Sequence, residues 1–380
     1  MKYEKYTVED VKRSSARKLY SVISCFAGGG GSSIGYKLSG GNVLLINEFV
    51  QSAIDTYTKN FPETNVLIDD IKKYDAEDFL EKSNLQVGEL DILDGSPPCS
   101  AFSVSGKREK GWDKEKKYSD GKVQVSIENL FYEFIRIADG IKPKVIVAEN
   151  VKGITLGESK RKLNAFINEF EKIGYYVTYK VLNAADYGVP QARERTIFIC
   201  VREDVADSLG LSFLNLNSIF PEATTKERVS MGEALSDIEN DPDEVNMLLD
   251  YLENSWQKKF VDPMPFNPKK TLKASDKMFI ETNPKKSCFN MKRPSPNNPS
   301  PTLTQMGQAR GSSGVLHFSE NRKLTVVECK RLMGFPEDFV LTGTFDQQVE
   351  RLGRAVAPLM YKEVSKRIYE TIIFPYNQSR

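Results

Sequence analysis

Between residues 20 and 200, short β-branched or apolar runs alternate with longer segments of helical period, and this rhythm constrains the fold more than any other feature. Strands are expected at 20–26, 43–47, 90–93, 145–148, 175–182 and 195–201. A helix should begin near Ser32 after a glycine turn, and a second should run through Ala53, Ile54 and Tyr57. Residues 127–141 carry apolar side chains at helical spacing. Such alternation predicts an α/β fold, a mostly parallel sheet with helices on both faces. Ligands of these sheets bind beyond the carboxyl ends of the strands. From about 240 to 300 the rhythm breaks, and Pro263, Pro265, Pro268, Pro284, Pro294, Pro296, Pro299 and Pro301 crowd the chain. A small irregular region is expected there, followed by a return to the main domain. The tail segments 326–333 and 356–369 are helical in pattern and should pack back onto the sheet.

The chemistry-bearing residues fall at the predicted strand ends. Pro97-Pro98-Cys99-Ser100 follows the run Leu90-Asp91-Ile92-Leu93. Proline fixes φ and restricts the residue before it, so the Cys99 thiol is held in place before any substrate arrives, as suits a nucleophile. A buried free cysteine is the plain alternative. Gly28-Gly29-Gly30-Gly31 lies between a strand and a helix, where glycines let a ligand approach the backbone and helix-end amides face a negative group. Glu48 closes the second strand, well placed for ribose hydroxyls, and Asp70-Ile71 could read an adenine amino group. Together these describe an adenosine site; singly, each acid could be a cap or a surface carboxylate. Glu149-Asn150-Val151 follows the run Val145–Val147. A glutamate at the mouth of a buried strand is costly to leave unpaired, so it should sit in a partly desolvated pocket, able to share or donate a proton near neutral pH. Arg193 and Arg195, two apart in extended chain, should point the same way. They could hold a carboxylate, phosphate or base carbonyl in forked geometry.

Composition excludes other classes. No apolar run approaches the ~20 residues of a membrane span, and the charged start MKYEKYTVEDVKRSSARK lacks the apolar centre of a signal peptide. Five scattered cysteines and one histidine show no metal-ligand spacing, so neither a zinc site nor a disulfide framework is expected, and the chain reads as cytoplasmic. The net charge of +1 says little about partners. Its distribution says more: residues 258–293 hold ten basic side chains against three acidic ones, an excess that could neutralise several phosphates.

The blocks FAGGGGSSIG, INEF, GSPPCSAFS, ENV, YGVPQARER, RPSPNNPSPTLT, LTVVECKRLMGFP and GRAVAP occur in an order that resembles the DNA (cytosine-5) methyltransferases, over about residues 20 to 365. The resemblance implies a Rossmann-like, S-adenosylmethionine-dependent fold with a small target-recognition domain. Segment 1–202 would be catalytic and cofactor-binding, 203–292 variable with target recognition, and 293–380 a return of motifs and C-terminal helices. It implies Cys99, Glu149, Arg193 and Arg195 as catalytic residues. Phe26, Gly28, Gly30, Gly31, Glu48, Phe49, Asp70, Ile71, Pro98 and Leu130 would hold S-adenosylmethionine. Residues 103–122 would form a loop closing over a flipped-out cytosine, with Ser103, Lys107, Arg108 and Gln191 assigned to DNA. Double-stranded DNA is the implied partner. A monomeric bacterial or phage modification enzyme is expected, with a cognate restriction endonuclease acting separately and no membrane association.

Two positions depart from the family pattern. Ser24 stands where an acid is usual, two places ahead of the phenylalanine, and Arg354 where asparagine is usual. Both bear on the cofactor rather than on the reaction centre. His317 has no assigned chemistry and is expected to be structural. Three other readings remain at this point: an RNA cytosine-5 methyltransferase, a non-catalytic DNA-binding relative, and, from the glycine turn alone, a nicotinamide-dependent dehydrogenase.

Overall fold

The computed structural model describes residues 2–97, 116–117, 123–124, 129–157, 159–212, 215–274, 276, 291–305, 307–308 and 313–379. The chain divides into two compact units whose limits differ from the expected three-part division. One comprises Val8–Leu182, Glu194–Glu222 and Met360–Arg380, and the other Met1–Thr7, Asn183–Arg193 and Ala223–Leu359.

The first unit is built on a seven-stranded sheet of β1 (Tyr20–Cys25), β2 (Gly41–Glu48), β3 (Asn65–Ile68), β4 (Ile92–Gly95), β5 (Val145–Val151), β6 (Tyr175–Asn183) and β7 (Glu194–Arg202), in the order β3-β2-β1-β4-β5-β7-β6. The pairs β1/β2, β2/β3, β1/β4 and β4/β5 are parallel, and β7 runs antiparallel to β5. The expected mostly parallel α/β sheet is thus present. Its order reverses between β1 and β4, so the segments leaving these two strands flank the crevice where such sheets bind ligands.

Side chains alternate between the faces of a strand, and the two faces carry different helices. Ile23, Cys25, Leu93, Ile146, Ala148 and Phe198 join one core with α4 (Ala76–Ser83), α5 (Asn129–Ile141) and α6 (Ser159–Lys172). In α5 the buried residues Leu130, Phe131, Phe134, Ile137, Ala138 and Ile141 form the stripe that helical spacing predicts. Asp75 and Asp78 close a capping box at the start of α4. Gly95 faces the same helices; an added Cβ would lie 2.5 Å from the Phe134 ring. On the opposite face, Tyr20 stacks on Tyr369 and the Tyr36 ring of α2 (Gly31–Leu38) meets Tyr361 edge-on, with ring centroids 5.7 Å apart. The C-terminal helix does pack back onto the sheet. The helix α3 (Gln51–Asn60) follows β2.

The second unit contains two small sheets. Leu272–Lys273, Met291–Arg293 and Gly314–Val315 form one, around a core of Leu252, Val261, Met264, Leu272 and Leu316. Ser300–Pro301 pairs in parallel with Gln191–Ala192 to form the other. Thr325 and Glu328 cap the helix Val326–Leu332, and Glu328 also accepts both terminal nitrogens of buried Arg322 at 2.8 Å. No helix among the described residues is long and apolar enough to cross a membrane.

Candidate active site

Three strand ends converge at the reversal point. The turn after β1 contains Phe26 at φ 55°, Gly28 at φ 55° and Gly30 at φ 92°. A side chain at Gly28 would be strained by its φ but would meet no atom of the described residues within 4 Å, which leave this side of the turn open. Gly30 is closed in: an added Cβ would lie 3.0 Å from the Tyr57 ring. Phe26 is a bulky residue in left-handed backbone, a costly arrangement that clusters at functional sites. Gly30 then begins α2, of which Gly31 is the first residue.

Glu48, at the end of β2, shapes this turn from the neighbouring strand. Its Oε2 accepts the Gly28 amide at 2.6 Å, and its Oε1 accepts the amides of Phe49 and Val50 at 2.8 Å each. Asp70 caps the short helix Ile71–Lys73 by accepting the Lys72 amide at 3.1 Å. Ile71 and Leu130 are buried, while Phe26 and Phe49 are half-buried. The open backbone at Gly28, the carboxylate beside it and the aromatic and apolar neighbours fit an adenosine-type cofactor.

At the end of β5, Glu149 is 9% exposed, and its Oε1 lies 2.7 Å from Arg195 Nε on β7. The antiparallel register sets Glu149 opposite Ile197 and Arg195 opposite Val151, which brings the two side chains together diagonally. Arg195 also donates to the Glu194 carbonyl at 2.8 Å. On the other side, β4 places Gly95 beside Ala148. Glu149 therefore lies one residue past the last rung of the strand that leads to Ser96, Pro97 and Cys99. Asn150 accepts the Val151 amide at 2.9 Å and steadies this strand end.

Cys99 and Pro98 lie outside the described residues, as do Ser103, Lys107, Arg108 and most of the 103–122 loop. The thiols of Cys25, Cys200 and Cys329 are buried, and burial pushes each well above the ordinary range. These three are inert core residues, a role that the proline-bound Cys99 need not share.

Two expected site residues have other employment. Arg193 does not share a task with Arg195: it is fully buried, with Nη1 donating to the Leu303 carbonyl at 2.9 Å and Nη2 to the carbonyls of Gly353 and Ala355 at 3.0 and 2.8 Å. The strand is interrupted at Arg193, so the extended alternation expected between the two arginines does not hold there. Gln191, expected at DNA, is also fully buried. Its amide nitrogen donates to the Leu332 carbonyl at 3.2 Å and its oxygen accepts the Leu303 amide at 3.1 Å. Four sequence blocks are thereby locked together inside the second unit. Gly353 is needed at that lock, since an added Cβ would come within 2.4 Å of the Gln305 amide nitrogen. Removing the Arg193 guanidinium would take the donor from two buried carbonyls and one half-buried one. Arg193→Ala should therefore cost about 3 kcal/mol or more, seen as a lowered denaturant midpoint.

The basic stretch is also reshaped. Arg293 is buried, donating to the carbonyls of His317 and Glu320, and burial lowers it to about 10. Lys258 pairs with Asp262 at 2.6 Å, while Lys259, Lys269, Lys270 and Lys273 are exposed. His317 is buried beside Glu328, and burial lowers it, in keeping with a structural role. Arg354 pairs with Glu350 one helical turn earlier.

Sequence reading missed Asp94. It shares a rung with Ser24 on β1, so a carboxylate is supplied at this level of the sheet by the neighbouring strand. Asp94 is 1% exposed, and burial raises it to about 6 against the opposing effect of its hydroxyl partners. A shift of that size is worth roughly 3 kcal/mol against the charged form.

The C-5 cytosine-specific DNA methylase model matches residues 20–370. The type II methyltransferase M1.HphI of Haemophilus parahaemolyticus is 29% identical over 350 residues, covering 92% of this chain and 86% of its own. The type II methyltransferase M.NgoFVII of Neisseria gonorrhoeae is 30% identical over 356 residues, covering 91% and 86%. Among solved structures, the S. pombe Dnmt2 methyltransferase shares the fold, with a TM-score of 0.60 at 17% identity, over 94% of this chain and 99% of that one.

Proposed function

Because the chain belongs to the C-5 cytosine-specific DNA methylase family, we propose that it transfers a methyl group from S-adenosylmethionine to carbon-5 of cytosine in double-stranded DNA through a covalent adduct on Cys99. The observation that carries this reading is the buried Glu149–Arg195 pair, on the rung next to the strand that delivers Cys99. Carbon-5 of cytosine is a poor nucleophile. The Cys99 thiolate adds to ring carbon-6, and carbon-5 becomes electron-rich. Glu149 hydrogen-bonds ring nitrogen 3 and the exocyclic amine as charge develops. Arg195 faces the base carbonyl and favours the thiolate. After methylation, loss of the carbon-5 proton expels Cys99 and restores the ring. The cofactor, when bound, supplies the activated methyl on its sulfonium.

Glu48 takes the ribose, Asp70 and Ile71 the adenine edge, and Phe26 and Phe49 the adenine faces, with Pro98 and Leu130 as further walls. Gly28, Gly30 and Gly31 line the methionine end. Arg193 and Gln191 act at a distance, by holding the second unit together. A cytosine inside a duplex is out of reach and must be flipped out by roughly 180°, with Ser103, Lys107 and Arg108 on the DNA. The relatives named as type II methyltransferases support a role in DNA modification, and in our reading the protein is the monomeric, cytoplasmic modification enzyme of a restriction–modification pair, with a separate endonuclease.

Labelled S-adenosylmethionine offered in parallel with duplex DNA and with tRNA tests the reading. Label should enter cytosine of DNA at carbon-5; label entering only tRNA, or neither, would overturn it. Glu48→Ala should weaken cofactor binding roughly tenfold or more, since it removes an acceptor for the ribose and frees the Gly28 amide. Calorimetric titration with S-adenosylmethionine measures that loss.

A further inference from the structure

Asp94 is the one wholly buried carboxylate at the reversal point of the sheet among the described residues, and neither the fold nor the proposed chemistry accounts for it. Its Oδ2 accepts the Ser24 hydroxyl at 2.7 Å, and its Oδ1 accepts the Tyr36 hydroxyl of α2 at 3.1 Å. Ser32, in the first turn of α2, lies next to this pair, its hydroxyl 3.5 Å from that of Ser24. Ser24, Ser32 and Asp94 each lie beside a functional segment. Ser24 is two residues before Phe26, Ser32 follows the last glycine of the turn, and Asp94 is three residues before Pro97. Among the described residues, the titratable groups around it are Cys25 on β1, Tyr36 on α2, Tyr57 on α3, Glu149 on β5 and Tyr361 on the C-terminal helix. All are neutral or acidic. A buried carboxylate so surrounded weakens the fold. Its protonated form is the more stable one, so the stability it contributes is complete below the ordinary carboxylate range and lost as pH rises through about 6.

We propose that Asp94 is a positioning residue whose carboxylate, bonded to Ser24 and Tyr36, holds the cofactor turn and the Cys99-bearing strand end in register at a cost to stability. This rests on the reading of the turn as the S-adenosylmethionine site. Two hydroxyls donate to one carboxylate, one to each oxygen. Protonation converts one acceptor into a donor, a hydroxyl must turn away, and the tie of α2 or of β1 to β4 is lost.

The test measures S-adenosylmethionine binding by calorimetry without DNA, alongside the thermal midpoint, from pH 5.5 to 8. Wild type should bind, with affinity falling as pH drops through about 6. Asp94→Asn should bind roughly tenfold more weakly at pH 8 and lose that pH dependence. Its thermal midpoint should equal or exceed that of wild type, by a margin that grows from pH 5.5 to 8. The double exchange S24D/D94S returns a carboxylate to the same rung from the other strand and should recover most of the affinity. Equal binding by Asp94→Asn and wild type would overturn the proposal, as would weakened binding with a lowered midpoint, which marks a merely structural role. A wild type that binds no S-adenosylmethionine would instead remove the reading of the turn.

Discussion

Replacing Cys99 by alanine should abolish methyl transfer, with turnover falling at least about 10³-fold, while S-adenosylmethionine still binds within a few-fold of wild type. Removing a covalent nucleophile takes away the route through the reaction rather than one contact along it, so its loss exceeds that of any supporting group. The cofactor should be indifferent because its turn is built by β1, β2 and α2. Glu48 and Gly30 fix that turn from residues far from Cys99 in the chain. Turnover of labelled methyl on duplex DNA and calorimetric binding, measured on the same preparation, separate the two effects.

The second large effect belongs to Glu149. Glutamine keeps the size of the side chain but carries no negative charge and cannot release a proton. Glu149→Gln should lower turnover by about 10²–10³-fold, the usual loss when a preorganised group facing developing charge is removed. A second consequence follows from the Arg195 partnership. The pair is close to dry, 12% and 10% exposed in its two side chains. Neutralising one member leaves the other charge in a site that cannot solvate it, so the variant should also be less stable. Arg195→Ala should lower turnover too, and the double variant should be far from additive, because each change already disables the other residue. Additive losses would mean that the two side chains act separately.

Much of this arrangement was legible in the sequence. The sheet was readable because β1, β2, β4 and β5 are buried and apolar, and the helix Asn129–Ile141 because its stripe repeats at helical spacing. The exception was β3, a four-residue edge strand too short and too exposed to show a pattern. Glu48 and Glu149 stood out in the sequence because a carboxylate ending an apolar strand has few structural excuses, and both are found at strand ends. Arg193 was not readable. Its partners are main-chain carbonyls at 303, 353 and 355, and no side-chain pattern announces a carbonyl. Gln191 was misread for the same reason. Asp94 was hidden because its meaning depends on register: only pairing of β1 with β4 shows that Ser24 and Asp94 occupy one rung. The interleaved limits of the two units likewise reflect contacts between segments distant in sequence.

The covalent step is tested most directly with duplex DNA of random sequence in which every cytosine is 5-fluorocytosine. Fluorine replaces the hydrogen whose loss must expel the sulfur, so an enzyme that attacks carbon-6 is stranded on its substrate. With S-adenosylmethionine present, the wild-type protein should form a denaturation-resistant complex with this DNA, and Cys99→Ala should form none. An alanine variant that traps DNA as well as wild type would contradict the account, and so would a wild-type protein that methylates ordinary DNA yet never becomes trapped.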